Sequence, residues 1–331
     1  MSRMKTAPCA QGSHTSSSSE SEDVFVRRTA IVAALLLTAT ACAVDATTST
    51  TAEPAQEFPV TVEADNGSVT IQTRPEAIIS LSSTATEMLF DIGAGPQVIA
   101  VDDQSNYPQA APMTGLSGFT PNLEAILSLQ PDLVVVFFDP GELIAGLEAA
   151  GVPVLSQGSA FTVDDMYHQI EALGKATGNV EGAAASIAAI QAGLEAAVTA
   201  SGDLGKGVTY YHEISSDFYT ATSSTFFGEI YGLFGMENIA DPADADGSAF
   251  GFPQISSEFI VTSDPEIIFL ANVFYGESAE TVSLRPGWNV MSAVRNGHIA
   301  ELDSDVASRG GPRVVAFAES ISNALAEFAS G

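Results

Sequence analysis

Apolar and polar residues alternate through FPVTVEADNGSVTIQT on both sides of Asn66-Gly67. Asn-Gly is the dipeptide that most readily supplies the positive φ angles of a tight hairpin, so a small antiparallel hairpin is predicted there. From Glu76 the pattern changes to short continuous apolar runs, AIISL, QVIAV, LVVVFF and VPVLS. They are rich in Val and Ile and do not alternate, which predicts parallel strands buried on both faces. Helical stretches separate them. Thr84 and Glu87 have the T-x-x-E spacing of a capping box before EMLFDIG, and Gly93 closes that helix. DPGELIAGLEAAG is a second helix, ending at Gly151. Strands and helices alternating over short links predict an α/β lobe, hairpin included, over 58–178.

NVEGAAASIAAIQAGLEAAVTASG is built almost wholly of helix formers, with Ile187, Ile190, Leu194 and Val198 along one stripe. It has no proline, and no glycine between Gly193 and its end. At 1.5 Å per residue, 180–200 is about 31 Å long. A helix of that length between two α/β segments predicts a stiff connector over 179–203. A second lobe follows over 204–331, with strands GVTYYHE, EIIFLAN and HIAEL and helices STFFGEIYGLFG and GPRVVAFAESISNALAEFA. The predicted fold is α/β: two Rossmann-like lobes joined by one long rigid helix.

One short pattern occurs twice. NLEAILSLQPDLVVVF begins at Asn122 and SSEFIVTSDPEIIFLA at Ser256, so Glu124 matches Glu258, Pro131 matches Pro265 and Asp132 matches Glu266. Each copy reads as a short helix, a Pro-acid step and a buried strand, one copy per lobe.

Composition narrows the function classes. Eleven basic residues stand against 41 acidic ones, a formal charge of −30, so no nucleic-acid footprint is expected. Cys9 and Cys42, the two cysteines, are too few for a disulfide framework. Residues 1–23 are polar and serine-rich and cannot build a core, and they are expected to precede the natural start, with Val24 or Val26 as an alternative first residue. Arg27 and Arg28 then lead an apolar run, Thr29 to Ala41, that is too short for a permanent membrane span and ends in small residues before Cys42. The order resembles a bacterial lipoprotein signal over 24–41, with Cys42 lipidated and the protein anchored to the outer face of the cell membrane. A plain secretory signal or an N-terminal anchor is the alternative. The Thr- and Ala-rich stretch 42–57 reads as a flexible tether.

RPEAIISLSSTATEMLFDIGAGPQVIAVDDQSNYP, PNLEAILSLQPDLVVV, FPQISSEFIVTSDPEIIFLAN and SRGGPRVVAFAESISNAL occur in that order. Together they resemble the periplasmic binding proteins that feed ABC importers with ferric siderophores, haem or cobalamin. The resemblance implies a ligand cleft between the lobes, a monomer, and a permease dimer with its ATPase as partner. It also implies that Glu124 and Glu258, one on each lobe, pair with permease arginines. A second account of the two glutamates is local. If Asn122 and Ser256 cap their helices, each carboxylate sits in a first turn, where the dipole stabilises it by about 0.3–1 kcal/mol. Glu87 is taken as a capping residue.

Cleft residues are expected in the loops after strands. The aromatic candidates are Phe119, Phe138, Tyr211, Tyr219, Phe252 and Tyr275. Tyr219 and Phe252 fall where the cobalamin-binding members place aromatic cleft residues. Arg309, in ASRGGPR, is a candidate for an anionic or carbonyl oxygen of the ligand, with a surface salt bridge as the alternative. His212 is a candidate at the cleft mouth. No two of His168, His212 and His298 share a metal-ligand spacing, so no metal site and no cofactor are expected, and iron arrives as part of a chelate. Gly118 stands where the cobalamin-binding members carry a tryptophan, which favours a ferric siderophore over cobalamin or haem. No G-x-S-x-G, S-x-x-K or P-loop motif supports an enzyme. A secreted α/β enzyme or a structural lipoprotein are the competing classes, and neither needs two lobes with facing aromatics.

Overall fold

The computed structural model describes residues 56–331, and the expectations for 1–55, Cys42 among them, lie outside the described part. Val60–Ala64 (β1) and Gly67–Ile71 (β2) pair antiparallel as the alternation predicts. Only Gly67 takes a positive φ, of 99°. Asn66 does other work: its amide donates to Val154 O and accepts from Ser156 N, both at 3.0 Å, which pins the hairpin to the first lobe.

That lobe contains, in chain order, Ile78–Leu81 (β3), Ser83–Asp91 (α1), Val98–Asp102 (β4), Met113–Leu116 (β5), Leu123–Ser128 (α2), Leu133–Val136 (β6), Leu143–Ala149 (α3), Val154–Ser156 (β7) and Val163–Thr177 (α4). Its sheet is parallel throughout, in the order β5-β4-β3-β6-β7. Strands β3, β6 and β7 are buried at every position, as unbroken Val/Ile runs require when helices cover both faces. The capping box at Thr84 does not form. Ser82 caps α1 by accepting from Ala85 N, which leaves Glu87 in the middle of the helix and buried.

Val180–Ser201 (α5) is the connector. It packs closely on both lobes, against backbone at Gly182 and against a side chain at Gly193. A Cβ on Gly182 would clash with Ile92 O at the end of α1, and one on Gly193 would stand 2.6 Å from the Val315 side chain of the last helix. The second lobe contains Thr209–Glu213 (β8), Phe226–Leu233 (α6), Glu237–Asn238 (β9), Ser257–Ser263 (α7), Ile267–Leu270 (β10), Ala279–Ser283 (α8), Ser292–Asn296 (α9), Ile299–Glu301 (β11) and Val314–Ser330 (α10). Its parallel sheet runs β11-β10-β8-β9. One hydrophobic cluster runs from Ile78, Met88 and Leu173 through Ile190 and Leu194 of α5 to Phe317 and Ile321 of α10, so the lobes share a core.

The repeated pattern is a repeated structure. Ile126 and Ile260 are both fully buried under their helices. Gln130 and Asp264 both end them in the left-handed region, at φ 55° and 47°. Asp132 then accepts from the N–H groups of Glu76 and Ala77 beside β3, and Glu266 accepts from Thr209 N at the start of β8. In each lobe the acid after proline fastens the start of a neighbouring strand. These bonds account for the shared acid, and burial accounts for the shared isoleucine, but neither involves the shared glutamate.

Candidate ligand cleft

A cavity of about 980 Å³ lies between the lobes, at the carboxyl ends of both sheets. Its walls are the loops that leave β3, β4, β5, β6 and β7 on one side and β8, β10 and β11 on the other. Strand ends in a parallel sheet all point one way, so the loops after them form a common mouth. The first lobe contributes Phe119, Phe137, Phe138 and Phe161, and the second Phe227, Phe252, Phe274 and Tyr275. Phe119 is 62% exposed, Phe274 and Tyr275 82% each. The rings group within each wall, Phe119 and Phe138 at 6.0 Å and Phe274 and Tyr275 at 5.3 Å between centroids. Large aromatics left open on two facing walls form an apolar surface that a ligand can cover.

Between the aromatics the wall is acidic: Asp102 and Asp103 from the first lobe, Asp303 and Asp305 from the second. Burial raises the pKa of Asp102 above the usual carboxylate range, against hydrogen bonds from Ser105 and Gln104 that lower it. Among the described residues on the wall, Arg309 is the one Lys, Arg or His. It is 8% exposed. Its Nη1 donates to Glu87 Oε1 (2.8 Å) and Asn106 Oδ1 (3.0 Å), and its Nη2 to Gln104 O (3.1 Å) and Asp305 Oδ1 (2.9 Å). Glu87 also accepts from Arg313 Nε (2.8 Å) and Nη2 (2.6 Å), and Arg313 lies over the Tyr107 ring at 4.5 Å. Glu87 and Asn106 belong to the first lobe and Asp305, Arg309 and Arg313 to the second, so this cluster ties the two together.

Five of the expected cleft residues line the cavity: Phe119, Phe138, Phe252, Tyr275 and Arg309. Three do not. Tyr211 and His212 alternate across β8, and helices cover both of its faces, so both side chains are in the core. Tyr211 packs edge-on against Trp288. His212 Nδ1 is 2.9 Å from Tyr231 Oη, and burial pushes its pKa down to about 4. Glu213 beside it is fully buried and receives Arg285 at 2.6 Å. Tyr219 is half-exposed but off the wall, in a β-bridge with Gln254. Gly118 also has a different cause from the one its sequence position suggested. A Cβ there would stand 2.8 Å from Leu81 O and 2.6 Å from Asp102 Oδ2, so glycine is required by close backbone approach.

Phe137, Phe161, Phe227 and Phe274 were missed: Phe161 and Phe274 follow predicted strands, Phe137 lies within the predicted run LVVVFF, and Phe227 lies within a predicted helix. Glu87 was missed as a site residue because its spacing matched a cap.

Glu124 and Glu258 lie off the cavity, exposed in the first turns of α2 and α7. Asn122 and Ser256 cap those helices as expected, accepting from Ala125 N (3.0 Å) and Phe259 N (3.1 Å). Among the described residues neither glutamate makes a salt bridge within the chain.

Comparison with known proteins gives the same architecture. A family model for periplasmic binding proteins matches residues 78–306. The uncharacterized ABC transporter substrate-binding lipoprotein YvrC of Bacillus subtilis (strain 168) is 30% identical over 314 residues, 90% of this chain and 97% of that one. A cobalamin-binding protein of Halobacterium salinarum (strain ATCC 29341 / DSM 671 / R1) is 30% identical over 283 residues, 80% of this chain and 73% of that one. Among solved structures, the periplasmic vitamin B12-binding protein BtuF of Vibrio cholerae superposes with a TM-score of 0.61 at 26% identity, covering 77% of this chain and 98% of that one.

Proposed function

The chain belongs to the periplasmic binding protein family, and we propose that its cleft captures a bulky metal chelate of zero or positive net charge for delivery to an ABC importer. Its relatives are solute binders that serve ABC transporters, so the role is binding rather than catalysis, the partner is an ABC permease, and the place of work is outside the cytoplasm. What carries the finer reading is the chemistry of the cleft. Aromatic rings from both lobes match a large apolar face, and the one wall arginine is already neutralised by carboxylates. A ferric tris-catecholate is a trianion and haem carries two propionates, and either would meet four aspartates with no free cation among the described residues of the wall to offset them. Cobalamin is neutral overall, and two similar proteins are described as binding it. Cobalamin is therefore the first reading.

A ferric trihydroxamate is the second. It is neutral, or cationic where its backbone keeps a free amine, and the acidic wall favours the cationic form. Gly118 gives no reason to prefer a siderophore, because close approach to Leu81 O and Asp102 explains that glycine without a ligand. Lipidation at Cys42 would anchor the binder near its permease, and Cys42→Ala would then release the protein from the membrane fraction. Uptake of radiolabelled cyanocobalamin and of a ferric trihydroxamate by cells with and without the gene tests the transport role. Loss of one uptake activity on deletion supports it, and full uptake of both in the deletion strain overturns it.

A further inference from the structure

The cleft contains an arginine, but its four Nη hydrogens are all bonded within the protein. Two guanidinium groups, Arg309 and Arg313, meet two carboxylates, Glu87 and Asp305, so the cluster is neutral. Only Arg309 of the two arginines reaches the wall. Asp305 holds it from the cavity side and is partly exposed, whereas Glu87 holds it from behind, 3% exposed. In that low-dielectric position the Glu87 carboxylate acts on Arg309 more strongly than an ion arriving through water can.

We propose that Glu87 determines the charge selectivity of the cleft, by neutralising Arg309 from behind so that anionic chelates are rejected. This rests on the chelate-binding reading above. An anion entering the cleft must compete with a buried carboxylate for Arg309 while facing Asp102, Asp103 and Asp303. A neutral chelate meets no such competition. The arginine cannot instead be explained as a ligand-facing anchor, because its Nη groups are already taken by Glu87, Asp305, Asn106 and the Gln104 carbonyl. Glu87 touches no ligand in this scheme. It acts through Arg309.

Equilibrium dialysis with two probes tests the proposal: ferric enterobactin, a trianionic tricatecholate, and ferrichrome, a neutral trihydroxamate. Glu87→Gln keeps the shape and one acceptor oxygen but leaves the Arg309, Arg313 and Asp305 cluster with one unbalanced positive charge behind a wall that stays acidic. It is expected to bind ferric enterobactin about tenfold or more tightly than wild type, with a gain that falls as salt rises. The ratio of ferrichrome affinities should stay within about threefold, since a neutral chelate gains nothing from a free cation. Asp305→Asn should shift the trianion the same way by less, and adding Arg309→Gln to Glu87→Gln should abolish the gain. A structural role alone would move both probes together. If Glu87→Gln does not fold, Asp305→Asn decides. Folded variants that bind the trianion no better than wild type overturn the proposal, as does a wild type that already binds it as tightly as ferrichrome. Ferrichrome and cyanocobalamin both failing on wild type would sink the chelate reading, and that result is separate from the trianion ratio.

Discussion

Phe274 and Tyr275 keep four-fifths of their surface in water, so core burial cannot explain them. Their loop, NVFYG, is held by Phe274 N donating to Ser304 Oγ and by the left-handed Gly276. We predict that Phe119→Ala and Phe274→Ala each weaken chelate binding about five- to tenfold, a loss of about 1–1.4 kcal/mol per ring. Melting temperature should change little, because neither ring fills the core, and calorimetry with parallel melts reads both effects. His212 behaves oppositely. It was expected at the cleft mouth and is fully buried and neutral, with a pKa of about 4 against an ordinary 6.5. Below pH 6.5 the unfolded chain takes up a proton that the folded chain refuses, so stability contributed by neutral His212 is lost as pH falls from about 6.5 to about 4. The loss reaches roughly 3 kcal/mol at the bottom of that window. Urea midpoints for wild type and His212→Phe between pH 7 and 4.5 check it: the wild type should lose more stability over the range than the variant. Equal slopes would contradict the assignment. Sequence pattern placed the cleft aromatics through one rule, the loop after the strand. It failed for Tyr211 and His212 because it counted residues inside β8, whose side chains are covered on both faces.

At the scale of elements, the α2–β6 and α7–β10 units are two copies of one device. The buried isoleucine and the strand-fastening acid are explained by contacts within the lobe, and both helices end in a left-handed residue. Glu124 and Glu258 are the shared residues that these contacts leave unexplained. Both sit exposed on short capped helices outside the cleft. Glu124→Ala and Glu258→Ala should leave chelate affinity unchanged and lower uptake in cells, the pair more than either alone. If the two carboxylates dock on arginines of a permease, reversal to Lys should be worse than Ala, because like charges would then face each other. A folded double variant with normal uptake would return both residues to helix-dipole partners. The strands and the connector helix were legible because continuous Val/Ile runs and an unbroken helix-forming stretch have few alternative folds. The capping box at Thr84 was misplaced because Ser82 offers a cap two residues earlier. The two-residue β9 carries too little pattern to detect.

For the whole molecule, three features limit relative motion of the lobes. The connector α5 has no proline and packs at Gly182 and Gly193 against helices of different lobes. A single apolar cluster passes through it. The Glu87, Arg309 and Arg313 bonds tie the lobes beside the cleft. Small-angle scattering should therefore show no drop in radius of gyration on ligand binding beyond experimental error, whereas a marked compaction would require a hinge that these contacts forbid. Two lobes with a cleft followed directly from the strand and helix pattern together with the family resemblance. The charge character of the cleft did not, because it depends on which carboxylate pairs with Arg309, and Glu87 lies more than two hundred positions away in sequence.

The proposed cargo is a bulky chelate of zero or positive charge, bound already wrapped. Isothermal titration of the purified protein tests it most directly, with cyanocobalamin, ferrichrome, ferric enterobactin and ferric citrate run side by side. Trp288 is buried in the second lobe away from the cleft, so heat is a better readout than its fluorescence. Saturable binding of cyanocobalamin or ferrichrome is expected, with little heat from ferric enterobactin or ferric citrate. Tight binding of ferric enterobactin or ferric citrate, with neither neutral chelate bound, would contradict it.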